Sequence, residues 1–311
     1  MNEMRKIKSS LLERAAEAYD FDSHLLARGA PMYDESAIGD VVDRDPAPVP
    51  PAVFPAPLPP RASGEVAIDR AMLENRGLLV PGAAIGALAE EFRQVKRQML
   101  NTARTVRSSD VAGAHDLART ILICSAKPDE GKTYCAVNLA ISMAAERDTE
   151  VLLVDADFAK PDVMKRLGVP DSAGLLDALG DPRIDVESCV VRTDIPQLSL
   201  LPAGAKTNQD TELLASDRTR ELIALLLAAD PRRILIFDPP PVLAASPASV
   251  LAAEVGQVLI VVRADSTGDG DLREAVAELD ACEHIQLILN AVSFNPGGRR
   301  YGDYYAQGEA K

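Results

Sequence analysis

No uninterrupted apolar stretch in this chain of 311 residues approaches the roughly 20 positions a membrane helix needs. The longest, residues 222–229 and 258–262, stop well short, so no bilayer span is expected. Basic residues are also in deficit, 33 Lys and Arg against 47 Asp and Glu, which leaves a net charge of −14. Such a chain lacks the field that releases counterions from a phosphate backbone, which argues against sequence-independent nucleic-acid binding. The four cysteines, Cys124, Cys135, Cys189 and Cys282, form no CxxC pair, and two lie inside apolar runs. They read as small buried hydrophobes rather than metal ligands or disulfides. The first residues, MNEMRKIKSSLLERAAEAYDF, begin basic but lack the apolar block and small-residue cleavage site of a secretory signal, so a cytoplasmic location is expected. Aromatics are scarce too, with 6 Tyr, 6 Phe and no Trp. What remains is 47% hydrophobic, enough to bury a sizeable core in one large α/β domain or two ordinary ones.

Composition changes sharply along the chain. Residues 46–60, PAPVPPAVFPAPLPP, hold eight of the 22 prolines, a density that forbids helix and favours an extended spacer. The linker is expected over residues 30–78. It separates an N-terminal segment, 1–29, from a folded domain, 79–296, and a tail, 297–311. One amphipathic helix is expected over residues 3–19, reading equally as a solvated tail or as a docking element for a partner. Within the domain, aliphatic runs at residues 121–124, 151–154, 234–237 and 258–262, with a fifth at 287–289, alternate with helical stretches at 134–147, 212–229 and 270–282. Runs apolar at every position imply strands covered on both faces. The expected fold class is therefore α/β, a doubly wound, mostly parallel sheet. In such sheets ligands bind beyond the carboxyl ends of the strands.

The first run leads into Ser125-Ala-Lys-Pro-Asp-Glu-Gly-Lys-Thr133 and then a helix. The ending Gly131-Lys132-Thr133 between strand and helix is that of a P-loop. Its backbone N–H groups and helix N-terminus cradle phosphates, the lysine reaches the β and γ oxygens, and the threonine hydroxyl ligates Mg²⁺. Glu130, Gly131, Lys132, Thr133 and Tyr134 are thus candidates for nucleotide contact. The second run ends in Val154-Asp155-Ala-Asp157. Both carboxylates are candidates for a phosphate-bound metal, and the alternative is that one of them caps a following helix. The third ends in Phe237-Asp238, the form of a Walker B carboxylate that completes Mg²⁺ coordination. The fifth ends in Asn290, whose amide suits an adenine edge or a turn cap. Three carboxylates and the loop are thus expected at one edge of one sheet.

On these ordered motifs, residues 79–311 resemble the bacterial tyrosine kinase family, and most closely its branch of exopolysaccharide-locus autokinases associated with exosortase systems. SAKPDEGKT is similar to the family's phosphate loop, with Asp129 in place of a glycine. VLLVDAD at 151–157 and ILIFDPPP at 234–241 are similar to its two further Walker-type motifs, and Leu201-Pro-Ala-Gly204 with Asn208 and Glu212-Leu-Leu214 to another segment. The resemblance implies Asp155 as acceptor of the tyrosine proton, Lys132 on the phosphates, and Thr133, Asp157 and Asp238 on Mg²⁺, with ATP as the nucleotide. Glu90, Arg93 and Lys96 resemble the family's Glu-x-x-Arg-x-x-Arg motif, which implies a head-to-tail homo-oligomer, closing into a ring if the rotation permits. Without the resemblance these three read as an ordinary charged helix face. The family setting implies an activating partner, an inner-membrane polysaccharide copolymerase, a location peripheral to that membrane, and a role in exopolysaccharide synthesis or export.

Two departures stand out. Ala159 occupies a position where the family often has arginine, with Lys160 following, and Pro247-Ala248 replaces an Asp-Ala pair. Lys127 coincides with a signature lysine of partitioning ATPases, although an exposed loop lysine is the plainer reading. Against these stands the tail, where Tyr301, Tyr304 and Tyr305 place half of the six tyrosines in the last eleven residues. They are expected to be phosphoacceptors, or else rings that pack on the domain or a partner. The expected function is ATP-dependent autophosphorylation of those tyrosines. The alternatives are a partitioning-type ATPase switch and a nucleotide-binding scaffold without turnover.

Overall fold

The computed structural model describes residues 64–292. The chain divides into two units, 1–52 and 53–311, and the described residues all fall in the second. The expected N-terminal helix, the proline-rich stretch and the three tail tyrosines lie outside the described residues.

Seven strands form one sheet: β1 (Thr120–Ser125), β2 (Glu150–Asp155), β3 (Val191–Arg192), β4 (Leu198–Leu201), β5 (Arg233–Asp238), β6 (Gln257–Arg263) and β7 (Ile285–Asn290). Their spatial order is β3-β4-β2-β5-β1-β6-β7, and every pairing is parallel except that of β3 with β4. The five runs read from the sequence are all strands. Strands β3 and β4 were not anticipated, because β4 is four residues of Leu-Ser-Leu-Leu and β3 only two. Strand alternation feeds two cores. Leu122, Leu152, Val154, Leu235, Phe237 and Ile260 pack on one face, while Ile121, Ile123, Leu153, Ile236, Leu259 and Val261 pack on the other. A sheet buried on both faces explains why its central strands carry no polar alternation.

One face is covered by α1 (Arg70–Asn75), α2 (Ala87–Arg107), α4 (Lys132–Ala144) and α5 (Val163–Leu167). A one-turn helix, α3 (Ala114–Leu117), leads into β1. The other face is covered by α6 (Leu175–Gly180), α7 (Asp210–Leu214), α8 (Asp217–Ala229), α9 (Pro247–Ala252) and α10 (Asp269–Glu278). Helix α4 is central, buried at all but two of its 13 positions. Helix α2 buries Phe92, Met99 and Val106, a spacing of seven that keeps one face inward and the charged residues out. The helix expected over 212–229 is broken into α7 and α8, and Ser216 begins the second piece. All four cysteines are free and buried, as their apolar surroundings indicated. Among the described residues no helix is long and apolar enough to cross a membrane.

One boundary is corrected. Residues assigned by composition to the end of the linker belong to the fold: Val66 bridges to Thr193, and Ile68, Leu73 and Leu78 are buried. Asp69 caps α1, accepting from the N–H groups of Ala71 and Met72 at 2.9 and 3.1 Å. The proline-rich stretch ends at residue 60. The apolar residues beyond it are spaced too irregularly to signal an element, yet they fill a groove between α4 and α5 that the sheet topology creates.

Candidate active site

The loop after β1 is built for phosphate. Asp129 and Gly131 both have left-handed backbones, φ +64° and +95°, which turn successive N–H groups to one side ahead of α4, whose first turn adds its own free donors. The position where this chain departs from the family glycine is therefore one that needs a positive φ, and aspartate is among the few side chains that tolerate it. Its carboxylate is exposed, while its carbonyl accepts from Arg263 Nη1 at 2.8 Å.

Neighbouring strand ends brace the loop. The buried Glu130 carboxylate accepts from Lys127 N–H at 2.9 Å and from the Thr267 hydroxyl at 2.5 Å. Asn290 at the end of β7 donates from Nδ2 to the Glu130 carbonyl at 2.9 Å. The Asn290 amide thus lies against the loop itself, and Glu130 turns inward as a staple. Lys127 pairs with Asp271 on α10. The Tyr134 ring packs edge-on against Phe92, and its hydroxyl donates to the Gly77 carbonyl at 2.8 Å. Arg263 and Thr267 were missed from the sequence, although Arg263 directly follows an apolar run and Thr267 lies in the turn after it, where ligand-side residues are expected.

Three carboxylates reach the same sheet edge, but in two arrangements. Lys132 Nζ lies 2.9 Å from Asp157 Oδ2 and 3.4 Å from Asp238 Oδ1, and donates to the Thr133 hydroxyl at 3.4 Å. Burial would lower the lysine's pKa, but Asp238, Asp157 and Asp155 outweigh it and the ammonium is held above its ordinary value. Asp238 is fully buried and pushed up, by desolvation first, despite the nearby Lys132 and a hydrogen bond from Thr133. Asp155, opposite Asp238 in the strand register, shares its face of the sheet but is engaged by backbone N–H groups instead of the lysine. Its Oδ1 accepts from Asp157 N–H at 3.2 Å, and its Oδ2 from the N–H groups of Asp162 and Val163 at 3.1 and 3.0 Å. It therefore caps α5, the alternative weighed for one of this pair. Burial and the Asp238 charge raise its pKa to about 7, against the opposing pull of those amides.

These residues fit a divalent cation. Asp238 Oδ2 is buried without a hydrogen-bond partner, beside the Thr133 hydroxyl and Asp157. No group of three or more His, Cys, Asp or Glu suited to a metal exists among the described residues. The donor set suits Mg²⁺, which takes one or two carboxylates and completes its shell with water and substrate phosphates.

The expected oligomer motif lies on α2. Glu90 pairs with Arg93 at 3.1 Å, whereas Lys96 is bound within the chain, to Glu146 at 2.6 Å and the Ser142 carbonyl at 3.2 Å. The LPAG segment closes another tight junction. Asp177 Oδ2 accepts from Gly174 N–H at 2.8 Å and Ala205 N–H at 3.1 Å, and a Cβ on Gly174 would stand 2.0 Å from the Pro202 carbonyl oxygen.

A parallel sheet whose first strand opens into this loop, with a Walker B carboxylate beside its lysine, defines a P-loop NTPase-type domain. Residues 118–284, more than half the chain, match the model of the AAA domain family, and the chain belongs to that family. The resemblance to bacterial tyrosine kinases is borne out as well. The chain is 31% identical over 207 residues to the putative tyrosine-protein kinase EpsB of Ralstonia nicotianae, an alignment covering 65% of this chain and 27% of that one. It is 32% identical over 120 residues to the tyrosine-protein kinase YwqD of Bacillus subtilis, covering 38% and 50%. Among solved structures, the VpsO kinase domain is 31% identical with a TM-score of 0.51, covering 64% of this chain and 98% of that one. The kinase domain of the Escherichia coli tyrosine kinase ETK is 28% identical with a TM-score of 0.52, covering 60% and 72%. The chain thus spans about a quarter of EpsB and half of YwqD.

Proposed function

We propose that this protein transfers the γ-phosphoryl group of ATP to tyrosines of its own C-terminal segment, Tyr301, Tyr304 and Tyr305, chiefly between neighbouring subunits. The observation that carries the reading is the convergence of Lys132, Thr133, Asp157 and the unpartnered Asp238 oxygen at the loop. Relatives named tyrosine-protein kinases support the same class of reaction.

In phosphoryl transfer most of the work is positioning and charge neutralisation. The loop amides and the α4 N-terminus bind the phosphates. Lys132 leaves its two carboxylates to hold β and γ oxygens, a move of one flexible side chain. Thr133, Asp157 and Asp238 would hold Mg²⁺, which would supply positive charge to offset that of the phosphates. Asp155, with a pKa near neutrality, takes the tyrosine proton. Its amide contacts fix the carboxylate in place, so that acceptance of the proton needs only a small turn at the end of β2. Asn290 lies close enough to the loop to line the base side of the nucleotide. Tethering the tail to an assembly raises its local concentration to roughly the millimolar range, so weak recognition suffices. Glu90 and Arg93 are the residues for a head-to-tail contact between subunits, with Lys96 joining by exchanging Glu146 for a partner.

The setting is polysaccharide export at the inner membrane, through a copolymerase partner. A relative named as a succinoglycan biosynthesis transport protein, 32% identical over 164 residues, supports it. Purified full-length protein with Mg-ATP should acquire phosphotyrosine at Tyr301, Tyr304 or Tyr305, and Lys132→Met should abolish it. No phosphate on those tyrosines, even with the membrane partner added, would overturn the reading. ATP-dependent dimerisation without phosphotyrosine would establish the partitioning-type switch instead.

A further inference from the structure

Strand β7 is the last strand of the sheet among the described residues. Its hydrogen-bonding phase is set at both ends: Val258 N–H donates to the His284 carbonyl and Ala264 N–H to the Asn290 carbonyl, each at 2.9 Å. The register in between is unbroken. Even-numbered residues therefore bond to β6, and the N–H and C=O groups of Ile285, Leu287 and Leu289 point outward. The Leu287 and Leu289 side chains share one face and are 55% and 65% exposed. An open edge that also carries two exposed leucines is a template for an added strand.

The chain itself supplies that strand. It leaves the described fold at Val292, beside this edge, and continues Ser-Phe-Asn-Pro-Gly-Gly-Arg-Arg-Tyr-Gly-Asp-Tyr-Tyr305. Asn295-Pro296-Gly297-Gly298 has asparagine first, proline second and glycine fourth, the preferences of a type I turn; a left-handed Gly298 would then complete a three-residue hairpin loop with its bulge. Counting back from that loop, Asn295 faces Arg299 and Leu289 faces Tyr305. Odd-numbered residues of β7 fall in the pairs that exchange both backbone bonds, the same residues whose groups point outward. Ala291, at φ +54°, bends the chain just past β7. A bulge there moves the register by one, which brings Tyr304 rather than Tyr305 to Leu289.

We propose that the C-terminal segment of the same chain turns at residues 295–298 and adds an antiparallel strand to β7, laying Tyr305, or Tyr304 in the shifted register, against Leu289 and diagonally beside Leu287. Cross-strand aromatic-aliphatic pairs are the favourable unit of such an edge. If the tail tyrosines are phosphorylated, which rests on the function proposed above, pairing withholds them from the active site of a neighbour. A phosphate beside the leucines then blocks the return of the strand.

Hydrogen exchange on the full-length protein without nucleotide tests this directly. The Leu287 and Leu289 amides should exchange on the order of tenfold more slowly than in a variant lacking residues 295–311, while Ile288, bonded to β6, stays protected in both. Gly298→Val in the full chain, which bars the left-handed turn, should give the same loss without truncation. Equal exchange at Leu287 and Leu289 in all three proteins would overturn the proposal. Leu289→Cys combined with Tyr305→Cys, or with Tyr304→Cys for the shifted register, should form a disulfide within one chain at low protein concentration; the native cysteines are buried. Cross-linking only between chains would also overturn it, by placing the tail on a neighbour. None of these measurements needs phosphoryl transfer, so a failed kinase assay leaves their outcome unchanged.

Discussion

Gly131 is where the phosphate loop tolerates least. At φ +95° its backbone is left-handed, and an added Cβ would come within 2.1 Å of Asn290 Nδ2, which is itself bonded to the loop. Gly131→Ala should weaken nucleotide binding at least about tenfold and cost about 1–2 kcal/mol of stability, read by fluorescent-nucleotide titration and thermal unfolding. Asp129 needs a positive φ as well but has open surroundings, so glycine there exchanges a strained backbone for a more flexible one with little net effect. Asp155 would combine a structural duty with the catalytic one proposed for it. Three backbone N–H groups share its two oxygens, and an asparagine would offer one oxygen and turn an NH₂ toward a donor. Asp155→Asn is therefore expected to lower stability by about 1–3 kcal/mol in urea unfolding. Under the proposed mechanism it also lowers phosphotyrosine formation by roughly 10²-fold or more.

At the scale of elements, the segment from Val66 to Leu78 behaves as a strap across the face that carries α4 and α5. Arg70 pairs with Asp194 at 2.7 Å and Arg76 Nη1 donates to the Lys165 carbonyl at 3.0 Å. Leu79 N–H donates to the buried Asn138 at 2.7 Å, and Leu73 is completely buried. Leu73→Ala should cost about 2–5 kcal/mol, measured by chemical unfolding, because the cavity lies between helices that the sheet holds apart. Helix α5, which the strap touches through Arg76, begins at Val163, whose N–H holds Asp155. The strap thus connects through α5 to the carboxylate of Asp155.

For the whole molecule, the buried charges around Lys132 predict that ligand and fold are strongly linked. Mg-ATP at a hundred times its dissociation constant should stabilise the native state by about 2.7 kcal/mol, a rise in Tm of roughly 5–10 °C for a domain of this size. Lys132→Met should remove that rise, which differential scanning fluorimetry would show without any assay of turnover. Net charge acts at the same scale. Under the proposed function each tail phosphate would add about −1.5 to −2 to a chain already at −14, so phosphorylation should favour separation of any assembled subunits, measurable by light scattering at low salt.

The five main strands, the α/β class, the loop and the two carboxylates beside Lys132 were legible in the sequence. A strand buried on both faces leaves an unbroken aliphatic run, and in this topology catalytic residues follow such runs directly. The strap was not legible, because α1 and its buried leucines owe their place to a groove made by distant helices. Nor were β3 and β4, whose pairing is decided by β2 rather than by their own few residues. Asp157 and Asp155 are two positions apart and chemically alike, and nothing in the sequence says which meets the lysine and which caps α5. The tertiary structure decides that, because backbone N–H groups of the turn after β2 capture one carboxylate and leave the other beside Lys132. The sequence alone determined which chemistry is present at the sheet edge; folding determined how its parts are shared out, since burial and hydrogen bonding act between residues far apart in the chain.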